Sequence, residues 1–254
     1  MSENRPILGV DVGASGIKGT LVDLQSGTLL GSRHRIPMPK DTSPDIVAGL
    51  FRDLVTHFDY SGPIGCGFPA VIKQGVAHTA ANLNKSWIGT DAAAVLTAAS
   101  GNPVYVVNDA DAAGVAEMTF GAGRDERGVV VLITIGTGLG TAVFLDGRLL
   151  PNTELGHIYL ASGVEAERHA ANSTKKREEL TWKQWGKRFN EYLRTMDDLL
   201  RPDLFILGGG SSKNFAEYAE FLKVRCRVVP AQMQNAAGIV GAAQFGAIMH
   251  AEQP

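Results

Sequence analysis

The sequence predicts an α/β protein made of two similar halves facing each other across a cleft. Three observations carry that prediction. Short apolar runs alternate with helix-type segments along the chain. A pattern of strand, Gly-rich turn, strand and aspartate occurs twice, 123 residues apart. At that offset Ile7, Val10, Gly13, Val22 and Asp23 fall on Val130, Ile133, Gly136, Leu145 and Asp146. Glycine is abundant, 30 of 254 residues, with few aromatics, which suits backbone packed closely on backbone or ligand.

Taken in order, 7–11 reads as a buried strand, 13–16 as a tight turn and 17–23 as a second strand. Ser26-Gly27 turns the chain into a third strand at 28–36. Ser43-Pro44 opens a helix to about 58, because the fixed φ of proline suits the first turn. A short strand follows at 63–67, then a loop-like stretch at 68–90 with a hairpin at 71–78. A helix at 91–99, a strand at 104–107 and a helix at 109–120 complete the first half. The second half repeats the scheme: strand 129–135, turn 136–138 and strand 141–146. An irregular polar stretch, 149–172, leads to an amphipathic helix at 181–200. Strand 204–207, loop 208–212, helix 215–224, strand 227–229 and an Ala- and Gly-rich helix at 235–250 follow. The expected division is 1–107 and 108–254, with the last helix packing back on the N-terminal domain.

Composition narrows the function. The net charge is -2, so a whole-surface nucleic-acid binder is excluded and any anion must be met by local groups. Two cysteines, Cys66 and Cys226, rule out a disulfide scaffold and a Cys-rich zinc motif. They suit a reducing cytosol, so a cytoplasmic location is expected. No apolar run is long enough to span a bilayer, and the first, 7–12, runs into Asp11.

The Gly-rich turns are neither a Walker A loop nor a dinucleotide fingerprint, since Gly136-x-Gly138-x-Gly140 precedes an apolar strand where a helix would have to open. They read as hairpin tips of small residues whose backbone N–H groups can face an anion. A plain pair of turns is the other reading, and their matching positions favour the phosphate one. Asp11 sits beside the first tip, where a carboxylate and a phosphate cradle make sense if Mg²⁺ joins them. Asn108-Asp109 follows a strand, the usual place for catalysis in an α/β sheet; an N-cap role for Asp109 is the alternative. Glu154 and His157, three apart around Gly156, can face one ligand or lie on a surface loop. Zinc at His157 is not expected, because no cysteine cluster follows it.

Five motifs occur in one order: Asp11-x-Gly13-x-Ser15-x-x-Lys18, Asn108-Asp109, Ile135-Gly136-Thr137-Gly138-Leu139-Gly140, Glu154-x-Gly156-His157 and Leu207-Gly208-Gly209-Gly210. In this the chain resembles the ROK sugar kinases of the actin-like ATPase and hexokinase (ribonuclease H-like) superfamily, over nearly its whole length. Residues 81–89, 152–157 and 235–243 resemble the polyphosphate glucokinase subgroup. The resemblance implies a kinase acting on the 6-hydroxyl of glucose, with polyphosphate as donor. It leaves ATP use and mannose tolerance open, with a strictly ATP-dependent hexokinase as the alternative. It implies Asp109 as general base and Asp11 near Mg²⁺ through water. Around the donor phosphates it implies Gly13, Ala14, Ser15, Lys18, Thr137, Gly138, Gly209 and Gly210. On the sugar it implies Gly67, Asn84, Asn108, Glu154 and His157, with a further glutamate for which Glu165 and Glu167 compete and Glu167 is preferred. A homodimer is the common state of the family.

One departure is clear. Most of the family carries a Cys-x-Cys-Gly-x-x-Gly-Cys zinc motif after Glu-x-Gly-His, and 158–171 has no cysteine. No structural zinc is therefore expected, as in the polyphosphate-using subgroup. A sugar-responsive repressor of the family would need a helix-turn-helix before the first hairpin, and six residues precede Ile7. A polyphosphate donor also calls for a local basic track. The candidates are Lys85 and the run Lys175, Lys176 and Arg177, whose mixed-sign surroundings equally suit a solvated helix face.

Overall fold

The computed structural model describes residues 5–253. They form two compact units. One comprises the described residues up to Ala116 together with those from Ala236 onward; the other is Glu117–Asn235.

In the first unit the strands are β1 (Ile7–Gly13), β2 (Gly16–Asp23), β3 (Thr28–Pro37), β4 (Ile64–Phe68), the small hairpin β5 (Ile72–Lys73) and β6 (Val76–Ala77), and β7 (Val104–Asn108). Its helices are α1 (Pro44–His57), α2 (Ala92–Ser100), most of α3 (Asp109–Phe120) and α8 (Ala237–Ala251). The main sheet runs β3-β2-β1-β4-β7. Alternation along β1 explains its two faces. Leu8, Val10 and Val12 enter a core with Val47, Phe51 and Leu54 of α1 and Leu96 of α2. Gly9 instead faces the Ile239 carbonyl of α8, and Gly65 of β4 faces the Ala242 carbonyl. A Cβ at either place would strike helix backbone, so glycine is what lets α8 lie flat on the sheet. Gly241 meets Ala112 of α3 in the same way, and the last helix thus belongs with the first unit.

The second unit holds β8 (Val129–Ile135), β9 (Leu139–Leu145), β10 (Arg148–Leu150), β11 (Leu204–Gly208) and β12 (Arg227–Pro230). Its helices are α4 (Ala166–Ala170), α5 (Asn172–Arg177), α6 (Trp182–Leu200) and α7 (Phe215–Tyr218). The sheet order, β10-β9-β8-β11-β12, repeats that of the first unit strand for strand. α6 starts with a complete capping box, Thr181 with Gln184, and buries Trp185, Phe189, Tyr192 and Leu193 over β8 and β11.

The repeat differs from the expected fixed offset in one respect. Burial along β1 matches β8 at 123 residues, which sets Asp11 against Thr134. Two residues separate the paired Gly13 and Gly16 at the first tip, and three separate Ile135 and Leu139 at the second. β2 therefore corresponds to β9 at 122 residues, and Val22 falls on Phe144 rather than Leu145. The helix expected over 215–224 is also cut short. After Tyr218 the chain tightens into a 3₁₀ turn, Ala219–Phe221. That turn lays Phe221 and Tyr218 against Gly186 of α6.

Candidate active site

Of the sequence-selected groups of the first unit, Asp11, Gly67 and Asn108 lie toward the carboxyl ends of β1, β4 and β7, and Gly13, Ala14 and Ser15 form the first hairpin tip, whereas Asn84 and Lys85 lie on a separate turn. Asp11 lies on the α8 face of the sheet, where the start of the helix meets it: a Cβ on Gly238 would sit 2.9 Å from Asp11 Oδ2. Lys18 is its register partner on β2, and Lys18 Nζ lies 2.9 Å from Asp11 Oδ2. Gly67 is the register partner on β4. The tip residues Ala14 and Ser15 are exposed. Behind Asp11, the buried Cys66 thiol is pushed well up, first by burial and then by the Asp11 charge, so it stays protonated and inert.

Asn108 ends β7 and is buried. Its side-chain oxygen accepts the N–H groups of Ala110 at 2.9 Å and Asp111 at 3.2 Å, and its amide donates to the Ala70 carbonyl at 3.1 Å. The capping role weighed for Asp109 thus falls on Asn108. Asp109 is the first residue of α3 and is exposed, with Oδ1 accepting the Ala110 N–H at 2.8 Å. Asn84 is exposed and caps the 3₁₀ turn Lys85–Trp87 through the Ser86 N–H at 3.0 Å. Its own N–H donates to Thr42 Oγ1 at 2.7 Å.

Within the second unit, Glu154, His157, Glu165 and Arg168 form a chain of charges. Between Glu154 and Glu167 the backbone folds back through an isolated bridge, Tyr159 with Glu165. That bridge brings Glu165 onto His157, whose Nδ1–H donates to Oε1 at 2.6 Å. On the other side, His157 Nε2 lies 3.6 Å from Glu154 Oε2. Arg168 Nε holds the second oxygen of Glu165 at 2.9 Å. The Glu165 hydrogen bond raises the His157 pKa, burial opposes it, and the charges of Glu167, Glu165 and Glu154 add to the rise. Burial raises the Glu154 pKa, His157 lowers it and Glu167 raises it again. Glu167 reaches elsewhere, accepting the Leu139 N–H at 2.9 Å on Oε2. A Cβ on Gly138 would collide with that carboxylate, so the small tip residue is what admits it. Of the two competing glutamates, then, Glu165 fixes His157 and Glu167 fixes the second hairpin tip. Thr137 is held by Ser173, whose Oγ donates to the Thr137 carbonyl at 2.6 Å. Gly209 has a left-handed φ of 74°, and a Cβ there would strike Ile135 backbone, so the Gly209-Gly210 loop lies against the end of β8.

The basic residues chosen from the sequence are mostly engaged. Lys85 Nζ donates to the Ala80 carbonyl at 2.9 Å, and Lys175 stands 4.1 Å over the Trp182 ring. Arg177 donates to Thr174 and Glu178, both at 3.2 Å, while Lys176 is exposed. Sequence reasoning passed over Arg35. It is the register partner of Lys18 on β3, and its guanidinium donates to the Ser15 carbonyl at 2.5 Å. The signal was present: with three strands zipped through the first tip, Asp11, Lys18 and Arg35 fall in one row. Among the described residues no three His, Cys, Asp or Glu side chains converge as a metal cage. No helix among them is long and apolar enough to cross a membrane.

Known proteins resemble this chain in sequence and fold. The family model described as "ROK family" matches residues 7–171. The polyphosphate glucokinase of Mycobacterium tuberculosis (strain H37Rv) is 47% identical over 92% of this chain and 89% of its own length. That of Mycobacterium leprae is 43% identical over 92% of this chain and 72% of its own. The crystal structure of the inorganic polyphosphate/ATP-glucomannokinase of Arthrobacter sp. strain KM is 44% identical, with a TM-score of 0.91 over 97% of this chain and 100% of that one. A doubled strand order, two Gly-tipped hairpins, the Asn-Asp pair after β7 and the Glu-x-Gly-His turn thus coincide with similarity along nearly the full length, and the chain belongs to the ROK family.

Proposed function

We propose that this protein is a glucokinase that transfers the terminal phosphoryl group of inorganic polyphosphate to the 6-hydroxyl of glucose. The observation that carries the reading is the 47% identity, over 92% of the chain, to the Mycobacterium tuberculosis polyphosphate glucokinase. Asp109 accepts the hydroxyl proton as the new O–P bond forms, and the bridging O–P bond of the donor breaks, leaving a chain one phosphate shorter. Asn108 anchors Asp109 at the start of α3 through its cap on Ala110 and Asp111. Asn84, Glu154 and His157, with the backbone at Gly67, hold the sugar hydroxyls. Glu167 acts through the hairpin tip that it braces. The donor phosphates lie at the tips Gly13, Ala14, Ser15 and Thr137, Gly138, and at Gly209 and Gly210, with Lys18 beside them.

Asp11 suits Mg²⁺. Asp11, whose Oδ2 takes Lys18 Nζ at 2.9 Å, would hold Mg²⁺ through water beside the phosphate cradle. When bound there through water, Mg²⁺ supplies neutralisation of the donor phosphate charge. The same reading makes the protein a cytoplasmic homodimer.

ATP as a second donor and mannose as a second acceptor are supported by one relative, the Arthrobacter polyphosphate/ATP-glucomannokinase, at 44% identity. The deciding experiment is glucose 6-phosphate formation by purified protein with polyphosphate, Mg²⁺ and no nucleotide. Product is expected. Product with ATP and none with polyphosphate would assign the chain to the ATP-only kinases.

A further inference from the structure

We propose that Arg35, beside Lys18, binds phosphates of the donor beyond its reacting end, so that a long polyphosphate leaves the first hairpin tip across β2 and β3. The inference rests on the polyphosphate reading above and says where that donor runs. Register fixes the geometry. Asp11 pairs with Lys18, and Lys18 with Arg35, so the three side chains stand in a row on one face of the sheet. The order of charge along that row is negative, positive, positive. On the reading above the carboxylate faces the reacting phosphate, and the cations lie outward from it along the register. Lys18 is partly neutralised by Asp11 at 2.9 Å. The hydrogen bond that Arg35 makes to Ser15 goes to an uncharged carbonyl, and this bond leaves the guanidinium charge uncancelled.

Two further features suit a polyanion. The guanidinium lies over Gly16: a Cβ there would strike the Ile36 carbonyl at 2.7 Å and stand 3.2 Å from both Nε and Nη2 of Arg35. The planar fork has five donors, so a bond to Ser15 leaves others for phosphate oxygens. β3 is the edge of its sheet, and among the described residues no further strand follows in the outward direction. Adjacent strands lie about 4.8 Å apart, which places β3 roughly 10 Å from β1. A donor of two or three phosphates seated at Asp11 ends near Lys18, whereas a long one continues over Arg35. With a net charge of -2, the chain has no general attraction for a polyanion and needs such a local strip.

The test compares long-chain polyphosphate with tripolyphosphate as donors for wild type, Arg35→Ala and Arg35→Gln. Glutamine keeps an N–H for the Ser15 carbonyl and loses the charge, which separates polyanion binding from support of the tip. For both variants the KM for long chains is expected to rise about tenfold, the worth of a charged hydrogen bond. The KM for tripolyphosphate should rise several-fold less. The slope of log KM against log salt for long chains should become shallower by about 0.7, by analogy with single-stranded nucleic acids. Equal rises for long and short donors, or an Arg35→Gln protein that behaves as wild type, would overturn the assignment of Arg35 alone. A wild-type protein that uses no polyphosphate of any length would overturn the function proposed above, and this inference with it.

Discussion

Replacing Glu165 by glutamine removes the charge that faces His157 Nδ1 while leaving an oxygen there. A hydrogen bond to a charged group contributes roughly 1.5–3 kcal/mol net. The Glu165 side chain is only 18% exposed, but its partners His157 and Arg168 are 53% and 80% exposed. Solvent screening therefore puts the His157 bond at the low end, about 1.5 kcal/mol, and the Arg168 pair at about 0.5 kcal/mol. If His157 holds a glucose hydroxyl through Nε2, loss of its orienting partner weakens glucose about tenfold, since 1.4 kcal/mol is a factor of ten. The pH dependence has a definite sign. Glu165 is the main cause that raises the His157 pKa above its ordinary 6.5. A raised value means that imidazolium stabilises the fold fully below about 6.5, and that this contribution is lost as pH rises through the folded value. In Glu165→Gln the inflection in kcat/KM for glucose should move to lower pH. The melting-temperature gap to wild type should be widest in mild acid and shrink toward alkaline pH. Steady-state kinetics and thermal melts from pH 5.5 to 9 measure both. An unchanged glucose KM together with an unmoved inflection would refute the idea that Glu165 sets His157.

Asp109→Asn should keep the fold and glucose binding while turnover falls by roughly 10²–10⁴, the usual worth of a positioned base; turnover near wild type would remove Asp109 from the chemistry. Gly65→Ala should lower stability by roughly 2–3 kcal/mol, because its Cβ meets the Ala242 carbonyl of α8, which is backbone and cannot turn aside. Denaturant melts read that loss, and a wild-type midpoint would mean that α8 does not press on β4 there. Glu117 is buried and accepts the N–H groups of Ala122 at 2.9 Å, Gln232 at 3.1 Å and Met233 at 2.7 Å. Glu117→Ala strands all three and should cost about 3 kcal/mol or more, with Glu117→Gln in between. Equal stability of the three proteins would show that water replaces the carboxylate.

The doubled architecture was legible because its signal is local. Continuous apolar runs, small-residue tips and an aspartate at a strand end dictate two strand–turn–strand units whatever surrounds them. The strand 129–135 and the helix 109–120 came out to the residue for the same reason. The helix expected over 215–224 did not, since it ends where Tyr218 and Phe221 turn onto Gly186, a contact made by residues about thirty apart in the chain. The one-residue difference between the hairpin tips was likewise invisible, because glycines at a matched offset read the same in a two-residue and a three-residue turn. At the site, residue identity could be read but partnership could not. Glu165 and Glu167 are chemically alike and two apart, and the bridge between Tyr159 and Glu165 sends one to His157 and the other to the Leu139 N–H.

By itself, then, the sequence determined which chemical groups are available and which segments carry them: carboxylates at strand ends, small residues at the tips, and glycines spaced so that a late helix can lie on an early sheet. The tertiary structure decided which of those groups touch. It set the row Asp11, Lys18, Arg35 through strand register, gave the cap of α3 to Asn108, and placed one glutamate on a histidine and the other on a backbone N–H. The physical reason is range. Backbone preference and apolar periodicity act over a few residues and are written in the chain, whereas hydrogen bonds and ion pairs depend on ångström-scale separations that exist only after distant segments have packed.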